Sequence, residues 1–473
     1  MVRGGYNYRS TYWEVALGRW GLYFIDCTRG FLVSPIITCI ISFIWMTFAG
    51  IFLTKTLRIS GKLNSIIIMI MMISMPCFSY TLSYWYCADA YSLAMLLSIL
   101  SVYFISQRGK KKFILGCICL ATMLGLYQAY IGVSTGLCII YLFVENYNQN
   151  VDFKDWGKKF RRFFFFGICG VGSYFGILEI FLNVWGTSLS SYAGANEIGI
   201  RNSFLHLPER LVHTYSAFYE WILGDGIIYN IYWKRNFLYI LLLAVFFISF
   251  ALLNRKVNVA RFVVGMGSVL IFPVATNIIA IAAPEKDINV LLAGSMCLII
   301  PFFLKITEMI KTDTIVKGVA VIISSLIVWS YILSNNATYL AVQTTTRQTQ
   351  SIMQDIYMRV QGLDGYVPNQ KIIFAGIIDE SLYKRDARIY KMADGVWANM
   401  DSFWRTYDGA RADWLNLYFD LMGIKQNMGT EEEYLRVISS ENFKNMPVYP
   451  HRDSVSIIDG IICVKLTNEP PLP

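Results

Sequence analysis

Between residues 31 and 333 the chain is a succession of long apolar runs separated by polar connections, and this pattern restricts the fold more than any other feature of the sequence. A helix needs about 20 mostly apolar residues to cross a bilayer, because in lipid every backbone polar group must be satisfied within the segment itself. Ten such runs are present, at 31–53, 63–82, 88–105, 113–127, 129–144, 163–184, 237–253, 262–283, 288–304 and 315–333. From Ser334 onward the sequence reads as that of a soluble protein. The whole chain is 55% hydrophobic and 15% charged, where soluble domains average roughly a quarter charged. The expected fold class is therefore an all-α polytopic membrane bundle of about ten spans, residues 31–333, followed by a small extracytoplasmic α/β domain, residues 334–473.

The connections carry an independent signal. Alternate ones hold Lys55, Arg58 and Lys62; Arg108 and Lys110–Lys112; Lys154, Lys158, Lys159, Arg161 and Arg162; Arg255, Lys256 and Arg261; and Lys305, Lys311 and Lys317. Those eighteen basic residues face five on the opposite side: Lys286 and, in the loop 185–236, Arg201, Arg210, Lys234 and Arg235. Short loops rich in Lys and Arg stay cytoplasmic. The bias predicts a multi-pass protein of the bacterial cytoplasmic (inner) membrane, with residues 1–30, the loop 185–236 and the C-terminal domain outside. It also accounts for the net charge of +9 without nucleic acid as a partner. An outer N-terminal segment with no apolar run before it leads us to expect one further helix upstream of Met1.

Within the outer segments, Trp13, Leu17, Trp20 and Phe24 recur at spacings of 4, 3 and 4, and Leu207, Leu211, Tyr215, Phe218 and Ile222 repeat the pattern after Pro208. Both stripes suit amphipathic helices, lying in the headgroup layer or packed on the bundle. In the C-terminal domain, Ile352, Ile356 and Val360 mark a helix face, 371–377 a buried strand and 412–421 a helix. Asp459-Gly460 between two β-prone runs reads as a hairpin.

Seven of the ten cysteines lie inside apolar runs, where cysteine acts as a small hydrophobe, and no metal or other cofactor is expected. The chain has no P-loop, GxSxG, HExxH, DxD or dinucleotide fingerprint, and His206, His213 and His451 are scattered. Any catalysis rests on outer carboxylates, arginines and aromatics. Residues 1–30 supply Glu14, Arg19 and Asp26; the turn before the third run supplies Asp89, set among Tyr84, Trp85, Tyr86 and Tyr91. A carboxylate at a helix end is commonly just solvated. One crowded by aromatics is also placed to accept a proton. The stretch Gly125–Ile131 puts Tyr127 and Gln128 inside an otherwise apolar run, either as a wet hairpin tip or as a polar rim over a headgroup.

Three elements carry a resemblance: Gly18-Arg19-Trp20, the stretch Leu126-Tyr127-Gln128-Ala129-Tyr130-Ile131, and Met446–Pro450 leading into an Ile-Asp-Gly-Ile hairpin. Together they resemble the bacterial membrane glucosyltransferase-domain family, type II of the O-antigen-modifying enzymes, and the resemblance extends over nearly the whole chain. It implies a likeness to GT-C glycosyltransferases, with an active site at the outer face, a polyprenyl-phosphate sugar donor and a surface glycan as acceptor. It further implies that Asp89 or Glu14 acts as catalytic base, and that Arg19, Trp20, Tyr127, Gln128 and Arg201 bind donor phosphate and substrate. The resemblance also implies acidic residues in a first outer loop after a first helix, the further helix expected upstream of Met1. Two other classes remain open at this level: a transporter or flippase for lipid-linked glycans, and a non-catalytic membrane assembly protein.

Overall fold

The computed structural model describes residues 12–190, 206–224, 234–255, 257–282, 289–310, 314–376, 419, 423–424 and 426–470. Tertiary contacts divide the chain into two compact units, one of Arg9–Asn335 and the other with its described residues running from Asn336. The first opens with two short helices, α1 (Tyr12–Ala16) and α2 (Leu22–Thr28). It continues with α3 (Pro35–Leu57), α4 (Lys62–Ser74), α5 (Pro76–Ser83), α6 (Ala88–Ser106), α7 (Lys110–Leu126), α8 (Ile131–Tyr147) and α9 (Phe153–Trp185). Then come α10 (Leu207–Ile222), α11 (Lys234–Asn254), α12 (Val259–Thr276), α13 (Ile278–Ala282), α14 (Ile299–Met309) and α15 (Thr314–Gln361).

Among the described residues, nine helical segments are long and apolar enough to cross a membrane, and they coincide with nine of the ten expected runs. The remaining run is α7, helical but 17 residues long, which at 1.5 Å per residue is about 25 Å and close to the lower limit for a span. The second run is bent: Met75 is extended between α4 and α5, the conformation favoured for a residue before proline.

The bundle is sorted inside-out relative to a soluble protein. On α3 the buried side is Thr38, Ser42, Met46, Ala49, Gly50 and Leu53, while Ile36, Ile37, Ile40, Phe43, Ile44 and Phe48 are exposed. Small and hydroxylated residues let helices approach and bond to one another, and bulky aliphatics meet lipid. The central helix α6 follows the same rule, with Ser98 bonded to Ser134 of α8 at 2.8 Å.

The basic connections gather at one end of the bundle. Buried Glu145 of α8 pairs with Arg58 at 3.1 Å and with Lys159. Arg162 donates to the carbonyls of Ile105, Gln107 and Gly109, and Arg261 to those of Asn146, Asn148 and Val151. Glu308 accepts from the Ser60 and Gly61 N–H groups and the Asn64 side-chain amide, fastening the turn that leads into α4. The end of α6 that carries Asp89, and the end of α7 next to Tyr127, point the other way.

The aromatic stripe from Trp13 to Phe24 does not form one amphipathic helix. Gly18 turns the chain at φ +78°, so α1 and α2 are separate, and Glu14, Val15, Ala16, Trp20, Leu22 and Asp26 are all buried. The second stripe is helical, as α10, but its inward face is Arg210, Thr214, Ala217 and Trp221, joined from the expected stripe by Ile222. That face is fixed by hydrogen bonds of Arg210 to the Ile281 carbonyl and of Asn277 to the Thr214 carbonyl.

In the second unit a four-stranded sheet is formed by β1 (Lys371–Ala375), β2 (Asn427–Met428), β3 (Val455–Ile458) and β4 (Ile461–Lys465). Its order is β2-β1-β4-β3, with β1 parallel to both neighbours and β3–β4 antiparallel. Period-two alternation supplies two cores. Ile372, Phe374, Ile462 and Val464 meet Ile352, Met353, Ile356 and Val360 of α15. Ile373, Ala375 and Cys463 meet Tyr434, Val437 and Phe443 from α16 (Glu431–Ser439) and α17 (Glu441–Asn445). Asp459 and Gly460 both have positive φ, 50° and 76°, the two-residue turn that matches strand twist. The helix expected at 412–421 lies outside the described residues apart from Phe419, which is buried in the first core.

Candidate active site

The end of the bundle opposite the lysines and arginines assembles around Asp89. This residue is the second of α6, where a negative charge meets the helix dipole favourably, and it is 4% exposed. Its Oδ1 accepts from the Ala90 N–H at 2.8 Å and from Arg29 Nη1 at 3.2 Å. Arg29 also donates to the Tyr86 carbonyl at 2.9 Å and, through Nη2, to the Asp26 carboxylate. Local geometry places it: α2 is capped by Arg29 and followed by Gly30 and Phe31, both at φ 62°, with the Phe31 N–H bonded to the Asp26 carbonyl. That wound-back C-terminus turns Arg29 toward α6. Two buried carboxylates from separate elements thus share one guanidinium.

Arg19 lies beside this clamp, after the Gly18 turn. Its Nη1 donates to the Tyr91 hydroxyl at 2.8 Å. The guanidinium sits 5.8 and 5.4 Å from the centres of the Tyr91 and Tyr127 rings, which stack on each other at 4.1 Å. Its Nε is buried without a hydrogen-bond partner. No carboxylate pairs with Arg19 among the described residues. Burial works against its charge, but the Tyr91 and Tyr127 phenols outweigh that and its pKa is raised. Burial also pushes the neighbouring Cys87 thiol up to about 12. The site therefore holds a permanent, half-enclosed cation inside an aromatic wall.

Gln128 and Trp20 hold this arrangement in place. The Gln128 amide donates to the Leu17 carbonyl at 2.8 Å and the Tyr174 hydroxyl at 3.2 Å, and that hydroxyl donates to the Gly18 carbonyl at 3.1 Å. Trp20 stacks on Phe181 at 5.6 Å, and a Cβ at Gly125 would fall 2.4 Å from its indole. Both side chains bind residues 17–21 to α7 and α9, while the Trp20 indole N–H is buried without a hydrogen-bond partner. Glu14 is buried in α1, and its carbonyl accepts from the Arg19 N–H at 2.8 Å. Arg201 lies outside the described residues.

The sequence reading picks out Asp89, Arg19 and Tyr127, and the structure brings Arg19 and Tyr127 together with Tyr91, two residues from Asp89. It passes over Arg29 and Tyr174. Arg29 had one visible signal, its spacing of three from Asp26 on a short helix.

A family model described as Glucosyl transferase GtrII matches residues 6–300. That range is more than half of the chain and contains every residue of the cluster. The chain belongs to the GtrII glucosyltransferase family. This GtrII member is thus a multi-pass membrane protein of a glucosyltransferase family, with its carboxylates and arginines inside the matched range. The match ends before the C-terminal unit, so Met446–Pro450 falls beyond it. No curated protein and no solved structure matches the chain.

Proposed function

We propose that this protein transfers glucose from a polyprenyl-phosphate donor to a cell-surface glycan, at the outer face of a bacterial cytoplasmic membrane. The observation that carries the reading is Arg19: a guanidinium enclosed by Tyr91 and Tyr127, with no carboxylate of its own among the described residues. A desolvated cation calls for an anion, and a lipid-linked phosphate supplies one at the membrane surface.

In the proposed reaction Asp89 takes the proton of an acceptor hydroxyl, and that oxygen attacks the anomeric carbon. The bond from that carbon to the phosphate oxygen breaks. Polyprenyl phosphate departs with the electron pair as a stable anion, held by Arg19. Glu14 is the alternative base, buried on the element that precedes Arg19. Tyr127 walls the phosphate site. Trp20 and Gln128 act one step removed, by fixing the turn that presents Arg19, and Arg201 is a second phosphate ligand from the outer loop. The bias of basic connections toward the other end of the bundle supports an outer location for this chemistry.

The test is release of polyprenyl phosphate by purified protein in vesicles, given polyprenyl-phosphate glucose and acceptor glycan. Arg19→Ala should raise the donor KM by about tenfold or more, the equivalent of about 1.4 kcal/mol. Absence of release by the wild type, or an Arg19→Ala variant with unchanged donor KM, overturns the reading.

A further inference from the structure

We infer that Arg29 is a positioning residue for the transfer reaction: bridged between Asp26 and Asp89, it aims one oxygen of Asp89 at the acceptor. The inference rests on the reading of Asp89 as base. Its warrant is an asymmetry within one carboxyl group. Both hydrogen bonds that Asp89 accepts, from Arg29 and from the Ala90 N–H, end on Oδ1. Among the described residues Oδ2 accepts none. One oxygen is anchored and the other is left for a ligand hydroxyl, as a general base requires.

Asp26 gives the pair its second property. When the acceptor proton reaches Oδ2 of Asp89, that carboxyl becomes neutral, and a guanidinium whose sole partner it was would be stranded in a site where its side chain is 11% exposed. Stranding a buried charge is far costlier than burying a matched pair. Asp26, 1% exposed and bonded to Nη2, keeps Arg29 compensated through the proton transfer. The Tyr86 carbonyl fixes the guanidinium plane from a third side. The groups facing Asp89 are thus Arg29, Asp26 and Cys87. Arg19 contacts Tyr91 and Tyr127 instead, so the two arginines divide the work: one for the leaving phosphate, one for the base.

This division gives a distinguishable signature. In the full-length protein in vesicles, Arg29→Ala should lower kcat by about a hundredfold with donor KM nearly unchanged, the reverse of Arg19→Ala. Added guanidinium ion should restore part of the Arg29→Ala rate and none of the Asp89→Ala rate, and Arg29→Lys should retain more activity than Arg29→Ala. Asp26→Asn should give a smaller loss of the same kind. A purely structural role would reduce the yield of folded protein, leave kcat per folded molecule intact and show no rescue; that result overturns the inference, as does a rise in donor KM like that of Arg19→Ala. If the wild type releases no polyprenyl phosphate, the donor assignment falls and Arg29 is judged by a measurement without turnover. Carbodiimide-driven amine labelling of Asp89, read by peptide mass spectrometry, should be several-fold faster in Arg29→Ala, and an unchanged rate rejects the inference.

Discussion

Gly125 and Gly18 show how single positions hold the candidate site. The absent Cβ of Gly125 is what lets the Trp20 indole lie flat on α7, and Gly21 then donates to the Gly125 carbonyl at 2.8 Å. Gly125→Ala is expected to destabilise the protein by about 1–3 kcal/mol, the usual range for overpacking, with a lowered Tm in detergent as the readout. Adding Trp20→Leu should recover part of the loss; no recovery would mean that the clash lies elsewhere. At Gly18 a Cβ meets both the Tyr174 hydroxyl and the Gln128 amide, and the backbone is left-handed, so space and φ both demand glycine. Legibility at this scale was uneven. Asp89 stood out because its aromatic neighbours adjoin it in the chain. The guanidinium that holds it belongs to another helix, and a contact between distant residues leaves no periodicity to read.

Elements were easier to read than the way they pack. Each apolar run is helical among its described residues, though the second breaks at Met75, the eighth at Asn277 and the ninth opens as a 3-10 segment, Leu292–Leu298. The Asp459-Gly460 turn formed where the hairpin was expected. The faces were harder: α10 turned a neighbouring stripe inward, because Arg210 and Thr214 found carbonyl and amide partners that hydropathy does not weigh. The C-terminal unit offers two checks. Lys465, 1% exposed, donates to the carbonyls of Phe443, Lys444 and Met446, closing the end of α17. Lys465→Met leaves those acceptors unmet and should cost about 1–3 kcal/mol, seen as faster hydrogen exchange in β4. The second check is pH. A hydrogen bond from Lys371, and then one from the Thr430 N–H, hold the Glu433 carboxyl below its usual range. A lowered carboxylate pKa contributes stability above the unfolded value of about 4.3, lost as pH falls through the folded value. Melting curves of wild type and Glu433→Gln should therefore converge below that pH; a constant gap would contradict the linkage.

For the molecule as a whole, the count and alternation of basic residues carried the topology, because both follow from lipid as solvent rather than from particular contacts. The structure adds that these loops meet, tied by Glu145, Arg162 and Arg261. A periplasm-active phosphatase fused after Ser334 should be active, and one fused at Asn150 inactive; the opposite pattern would place the Asp89 end in the cytoplasm and remove the proposed chemistry. What composition could not convey was the shape of the bundle's two ends, where side chains from several helices converge.

The 17-residue helix α7 has a consequence for the surrounding lipid. At about 25 Å it falls some 5 Å short of an ordinary hydrocarbon slab of about 30 Å, a deficit that thinning of the bilayer around a short helix would make up. Tyr127 and Gln128 stand at one end of it. A bilayer thinned around α7 would bring its surface down toward that end, and with it, under the proposed reading, the headgroup that Arg19 is to hold.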